Sequence, residues 1–409
     1  MAGAYLFYHF PLSCLHTIQI LATVNHSFSD TSVVSLTPVS SSRYGAAFAF
    51  FFMFLGLLAC TADRKAEVPK QGDGPRTVKC ETNAFGLKNL CEDEVDYLKW
   101  AEAYPQFPRL QDLNREVLRQ ITVDTKDVDK AAALYFNRVM REPANRELVQ
   151  YLDRMETSLA TQRPNFSKKN LMLAMAPGMF YKDNPEIGAD GRDLRNMALE
   201  LGMKEAVIPV EQTGTVEENA KIICEFVQKQ NEVKGIIIAS VSKGSGDFKR
   251  AIQICGSEPY FKKVRGWFNI AGISRGSRLM TDIENTWTYK MEARGYFCWN
   301  GYNWDGFLSM RAGEGAPLET ELKLPDHLLV VNVVAVPVFR MVTDRARPFY
   351  EYLVRYGPND GMTFLVDSVI LGGVIFPSWR NDHYFRFPMY RPRMHAFLVY
   401  IVERKFQEL

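Results

Sequence analysis

Gly235-Ile236-Ile237-Ile238-Ala239-Ser240-Val241-Ser242-Lys243-Gly244-Ser245-Gly246 is the stretch that decides the fold. A run of β-branched apolar residues marks a strand buried on both faces, as in a parallel sheet. The run stops at Ser-x-Ser-x-Gly, and a helix-compatible stretch, Asp247 to Cys255, follows. A serine on so sharp a strand-to-helix turn is pushed outward, with its hydroxyl at the top of the sheet. Strand and helix nearly touch there, so small residues are needed two positions to either side; Ser240 and Gly244 meet that demand. The plain alternative is an ordinary strand-to-helix turn with a capping serine.

The pattern is that of a nucleophile elbow, which calls for an acid and then a histidine further along the chain. Outside the first 60 residues only His327, His383 and His395 are available. His327 precedes the apolar run Leu328 to Val338, at the wrong end of a strand. His395 lies in the closing amphipathic stretch Met389 to Phe406. His383 sits in a polar loop just after Val374-Ile375-Phe376-Pro377, where a base following the last strand is expected. The acid is sought one strand earlier, in Tyr356-Gly357-Pro358-Asn359-Asp360-Gly361-Met362, whose Gly, Pro, Asn and Asp make a tight turn. Asp360 is at its tip, Asp367 is the rival acid, and a purely turn-forming aspartate is the alternative for Asp360.

An acyl-transfer site also needs two donors for a developing oxyanion. One is the backbone N–H after the nucleophile, that of Lys243. The other is expected in the loop after the strand Leu171 to Ala176, where Pro177-Gly178-Met179-Phe180 points to the N–H of Met179, with Phe180 as the alternative.

With these pieces in order, the chain resembles the α/β-hydrolase superfamily over about residues 168 to 409. The carrying segments are Ala176-Pro177-Gly178-Met179, Ser240-Val241-Ser242-Lys243-Gly244, Gly357-Pro358-Asn359-Asp360-Gly361 and Asn381-Asp382-His383-Tyr384. More narrowly, it looks like bacterial lipase- and esterase-like members. Val241 stands where a histidine often precedes the nucleophile, and Ser240 where the first glycine is usual. The resemblance implies a mostly parallel sheet with helices on both faces. It also implies cleavage of carboxylic esters, as an esterase or lipase, through Ser242, His383 and Asp360 and an acyl-enzyme. Thioesterase or peptidase chemistry stays open, since a serine triad does not choose its leaving group.

Alternating elements agree with such a sheet. Helices are expected at Asp193 to Leu201, Val216 to Gln230 and Ala346 to Tyr356, and strands at Glu205 to Val210, Val264 to Ala271 and Leu329 to Val338. The alternation breaks over an insert at about 274–326, expected to act as a cap. Its aromatic side chains, Trp287, Tyr296, Phe297, Trp299 and Trp304 among them, suit an apolar substrate group; equally, they suit docking of the insert onto the body. Residues 93–165 read as a helical extension, clearest at Asp129 to Arg138 and Arg146 to Leu159, with Pro143 breaking between them. This extension is expected to join the hydrolase body at 166–409, or to serve as a partner-binding appendage.

Other chemistries find little support. Ser240-Val241-Ser242-Lys243 also fits Ser-x-x-Lys, with Ser240 as nucleophile and Lys243 as base, but the accompanying Ser-Asp-Asn and Lys-Thr-Gly elements are missing. No phosphate-binding glycine loop, His-Glu-x-x-His or paired Cys-x-x-Cys occurs, so no metal or cofactor is expected. Calcium, whose oxygen ligands leave little trace in a sequence, stays open. The 49 Lys and Arg balance 47 Asp and Glu, with no basic excess to suggest nucleic acid.

The first 60 residues read as a leader. An uncharged stretch from Tyr44 to Ala62 follows Arg43, with a short apolar centre and small residues at its end, the pattern of a secretory signal. Leu57-Leu58-Ala59-Cys60 resembles a bacterial lipobox, which implies lipidation at Cys60 and a place in the cell envelope; a single membrane anchor is the alternative. Residues 1–42 look like sequence ahead of a misplaced start site, and 61–92 like a tether. Export makes disulfides possible, and Cys80 with Cys91 are the expected pair. Cys224 and Cys255 are expected as buried thiols. Partners are then a small-molecule or lipid ester and the membrane; oligomeric state is undetermined. The competing function class is a hydrolase-shaped binding or envelope protein without catalysis.

Overall fold

The computed structural model describes residues 90–159, 161–385 and 393–409, and the backbone of two short strands, β1 (Thr82–Asn83) and β2 (Gly86–Leu87), paired antiparallel. The leader with Cys60, the tether residue Cys80 and residues 386–392 lie outside the described residues. Residues Ile283–Trp304 form one contact unit; the described residues from 90 to 282 and from 305 to 409 belong to another.

The larger unit is built on six parallel strands: β3 (Leu171–Ala176), β4 (Lys204–Val207), β5 (Gly235–Val241), β6 (Val264–Ile270), β7 (Leu329–Val336) and β8 (Val374–Trp379). They run in the order β4-β3-β5-β6-β7-β8, and every pairing in this sheet is parallel. From β3 the chain steps outward to β4 and then returns to β5 on the other side. The carboxyl ends of β3 and β5 therefore flank the point where strand order reverses, which is where open parallel sheets hold their ligands.

Helices cover both faces. On one face α4 (Pro143–Leu159), α5 (Arg192–Glu200) and α12 (Met394–Lys405) pack against Leu173, Ile237, Phe268 and Val333. On the other, α6 (Val216–Lys229) and α7 (Lys243–Cys255) pack against Ala174, Ile236, Ile238 and Trp267. This is an α/β architecture, one parallel sheet between two layers of helices, and side chains alternate between the two faces along each strand as the period of two requires. β4 is shorter than the expected Glu205 to Val210, because Pro209 has no N–H to donate to a neighbour. Pro377 is tolerated inside β8 because β8 is an edge strand.

The extension contributes α1 (Glu92–Ala103), α2 (Arg115–Thr125), α3 (Val128–Arg141) and α4. Pro143 does not leave a gap but starts α4, at a position where its missing N–H costs nothing. Leu118, Ile121, Leu134 and Val139 share a core with Val334, Val336 and Ile375 of the sheet, so the extension continues the core of the sheet. Asn145 covers the open edge of β8: its Oδ1 accepts from the backbone N–H of Ile375 at 2.7 Å.

The insert between β6 and β7 carries α8 (Arg278–Asn285), α9 (Trp287–Trp299) and α10 (Trp304–Leu308). Its two roots, at Ser274 and Leu318, are held by one buried cation: Lys249 Nζ donates to the Ser274 carbonyl at 3.0 Å and the Leu318 carbonyl at 2.7 Å. Burial lowers the pKa of this amine to about 8. The remaining helix, α11 (Arg347–Leu353), follows β7. No helix among the described residues is long and apolar enough to cross a membrane.

Cys224 and Cys255 correct the reading of these residues as buried thiols. They form a disulfide that joins α6 to α7, with Cα atoms 6.1 Å apart. In the sequence Cys224 falls in a helix pattern and Cys255 near a helix end, and only the pairing of the two helices brings them within bonding range.

Candidate active site

Ser242 stands between β5 and α7 with φ 54° and ψ −119°. This left-handed backbone is unusual for a residue with a side chain and marks a turn forced by its surroundings. What forces it is the close approach of α7 to the end of β3. A Cβ added at Gly244 would lie 2.2 Å from the Ala176 carbonyl oxygen, so no larger residue fits. Ser240 is fully buried, and its Oγ lies 2.8 Å from Ser245 Oγ and accepts from Trp267 Nε1 at 2.7 Å. A hydroxyl in place of the usual glycine thus fastens the elbow to α7 and to β6. The same bonds leave Ser240 unfit as a nucleophile, which removes the Ser-x-x-Lys alternative.

Lys243 is no general base either. Its side chain turns beneath the elbow, is buried, and holds both carboxylate oxygens of Asp247 at 2.7 and 2.8 Å. Asn219 of α6 donates to the same carboxylate at 2.8 Å. Burial raises the Asp247 pKa, and the bonds from Lys243 and Asn219 oppose that rise. The Lys243 backbone N–H is the first of α7 and has no partner within the helix. Gly178 lies beside the elbow, where an added Cβ would come within 3.5 Å of Ser242 Cβ. Its own N–H is used by the Ala189 carbonyl, at 3.0 Å. The next N–H, that of Met179, donates to no group among the described residues. Phe180 then takes φ 61°, in the left-handed region.

The structure brings the three sequence-predicted side chains together. His383 Nε2 lies 2.9 Å from Ser242 Oγ, and His383 Nδ1 lies 2.8 Å from Asp360 Oδ2. Asp360 is 2% exposed and His383 8%, whereas Ser242 is partly open. The second oxygen of Asp360 accepts from the N–H groups of Met362 and Thr363, at 2.8 and 2.9 Å. Its backbone carbonyl accepts from the His383 N–H at 2.8 Å. Carboxylate and imidazole are therefore fixed to one another twice, once by side chain and once by backbone.

Asp367, the rival acid, does not reach the imidazole. Its Oδ2 accepts from Arg115 Nε at 2.6 Å, its Oδ1 is buried with no hydrogen-bond partner among the described residues, and burial raises its pKa to about 6. Asp382 supports the loop instead: its Oδ2 accepts from the N–H and hydroxyl of Thr343, at 2.7 and 2.6 Å. His395 lies at the surface of α12 with Nε2 2.9 Å from Glu200.

Within the insert, Phe297 packs edge-on against Trp304 at 5.4 Å between ring centres, with Tyr296 and Tyr302 beside it. Trp287 and Trp299 are instead 67% and 79% exposed. The aromatic group is thus divided between a ring cluster internal to the insert and two exposed rings.

Among the described residues, one group of potential metal-ligating atoms stands together: Cys91, Asp93 and Glu94. It does not suit a metal, because Cys91 is disulfide-bonded and arginines hold both carboxylates. Sequence reasoning missed Glu94 and Arg380 altogether, since nothing local distinguishes them from surface charges.

The chain matches no protein-family model and no curated protein. Among solved structures it is similar to a metagenomic carboxyl esterase, at 20% identity and a TM-score of 0.44 over 60% of this chain and 80% of that one. It is also similar to the mature lipase BlEst2 of Bacillus licheniformis, at 15% identity and a TM-score of 0.41 over 59% and 93%. The carboxylesterase CesB of Bacillus subtilis follows, at 9% identity and a TM-score of 0.33 over 63% and 99%.

Proposed function

We propose that this protein is a serine hydrolase that cleaves carboxylic esters through an acyl-enzyme. The observation that carries the reading is the imidazole of His383, within hydrogen-bond distance of both Ser242 Oγ and Asp360 Oδ2. Ser242 Oγ attacks the acyl carbonyl carbon and gives its proton to His383 Nε2. Asp360 holds the tautomer with the proton on Nδ1 and offsets the imidazolium charge. The N–H groups of Lys243 and Met179 bind the oxyanion. Collapse of the tetrahedral species expels the alcohol, which takes the proton from His383. Water then attacks the acyl group by the same route and restores Ser242.

The protein acts outside the cytoplasm, anchored in the cell envelope through a lipid at Cys60. Support comes from the leader pattern and from the Cys224–Cys255 disulfide, a bond that persists in oxidising compartments. Its partners are then an ester substrate and the membrane that holds the anchor.

The test is covalent labelling with a fluorophosphonate, followed by turnover of p-nitrophenyl esters of short and long chain. Wild type takes up one label per chain and hydrolyses the esters. Ser242→Ala folds, takes up none, and loses turnover on the order of a million-fold. A folded wild type that neither labels nor turns over would refute the proposal and leave a hydrolase-shaped binding protein. The ratio of long- to short-chain rates separates lipase from esterase.

A further inference from the structure

The loop that carries His383 is held from below by a carboxylate 289 positions earlier in the chain, on the first helix of the extension. Glu94 is fully buried and saturated with donors. Arg380 gives it two bonds, Nε at 2.6 Å and Nη2 at 2.7 Å. Trp379 Nε1 gives one at 2.7 Å, Arg340 Nη2 one at 2.9 Å, and the Cys91 N–H one at 2.8 Å. Burial alone would raise the Glu94 pKa, but the bonds from Arg380, Cys91 and Trp379 bring it below the usual carboxylate range.

Its main donor sits at a strained point. Arg380 is the first residue after β8, is 5% exposed, and takes φ 70°. An arginine adopts that backbone only where its surroundings over-determine it. Three residues on is His383. Glu94 also reaches the loop after β7 through Arg340, and that loop in turn holds Asp382 through Thr343. One buried carboxylate thus ties the loop that carries the imidazole to the loop that braces it at Asp382.

We propose that Glu94 is a positioning residue for the active site, holding Arg380 and Arg340 so that the imidazole of His383 meets both Ser242 and Asp360. This rests on the serine-hydrolase reading above. It makes the extension a working part of the site. Without the negative charge, Arg380 is a buried guanidinium with its carboxylate partner gone, and the loop relieves that cost by letting Arg380 turn toward water. A shift of about 1 Å at a catalytic group is enough to cost on the order of 100-fold in rate.

The experiment compares the whole chain with Glu94→Gln. Reactive serines are counted with a fluorophosphonate, and kcat, KM and the pH profile for p-nitrophenyl acetate are taken per titrated site. Glu94→Gln is expected to lower kcat per site by roughly 10- to 100-fold with KM little changed, and to displace the midpoint of the pH profile of kcat/KM. Arg138→Met is the control. Arg138 is buried in the same extension, but its guanidinium serves the carbonyls of Ala101, Tyr104 and Phe107. It is expected to lower the melting temperature and leave per-site kcat and the pH midpoint as in wild type. Wild-type kcat and midpoint in Glu94→Gln overturn the inference and leave the hydrolase reading standing. A wild type that takes up no label overturns both. Should Glu94→Gln not fold, E94Q/R380Q, which leaves neither of that pair charged, decides the matter: lowered per-site kcat supports the inference, and wild-type kcat overturns it.

Discussion

The two sides of the candidate site are made by different means. On the serine side, position comes from neighbours in sequence. Residues 240–246 contain the strand end, the strained turn, the glycine that lets α7 approach, and the hydroxyls that fasten it. On the histidine side, position comes from distant side chains. Arg115 of α2 holds the segment after the acid turn through Asp367, Asp129 of α3 accepts from the Phe339 N–H, and Glu94 of α1 holds Arg380. A serine can be fixed by a strand and a helix, because their geometry is set by backbone hydrogen bonds. A histidine on a loop has no such frame and needs polar contacts that only the rest of the fold can bring.

The sharpest way to break the histidine side is at its acid. Asp360→Asn keeps the shape of the contact but favours the wrong imidazole tautomer. It should lower kcat by about 10,000-fold while the chain remains folded, as judged by circular dichroism. If turnover survives within tenfold of wild type, another carboxylate serves His383, and the division drawn here is misplaced.

The serine side should break through stability. Asp247→Asn leaves Lys243 charged and buried with no carboxylate, at a cost of about 3–5 kcal/mol in unfolding free energy by denaturant titration. A loss under about 1 kcal/mol would show that the ion pair under the elbow does not hold it.

A smaller effect sharpens the comparison through pH. The Asp367 carboxyl titrates near pH 6 when folded, above its ordinary value, so the folded state binds the proton more tightly than the unfolded chain does. The stabilising contribution is complete below about pH 4 and is lost as pH rises through about 6. Asp367→Asn should therefore flatten the fall in stability between those two pH values. Melting temperatures measured across that range would contradict the assignment if the slope were unchanged.

The same division explains what could be read in advance. The strands β3, β5, β6 and β7 were legible because buried parallel strands are continuous apolar runs. Ser242 and His383 were legible as candidates because each follows the end of a strand, and Asp360 because it sits in a tight turn and the chain order Ser, Asp, His restricts the choice. Asp360 could not be separated from Asp367 by sequence, since the turn and the segment after it each offer an aspartate; the separation came from which carboxylate faces the imidazole and which faces Arg115. The Cys224–Cys255 bond was hidden for a related reason, as each cysteine suits a buried helix face and only the packing of α6 on α7 pairs them.

The amino-acid order alone determined the sheet, the elbow and the candidate reacting groups, because those depend on periodicity, turn chemistry and spacing, which act over a few residues. The folded chain alone decided which buried charges pair and what holds the imidazole in place. Such contacts join positions hundreds of residues apart, and a lone Glu94 or Arg380 in the sequence carries no sign of the partner that burial will impose on it.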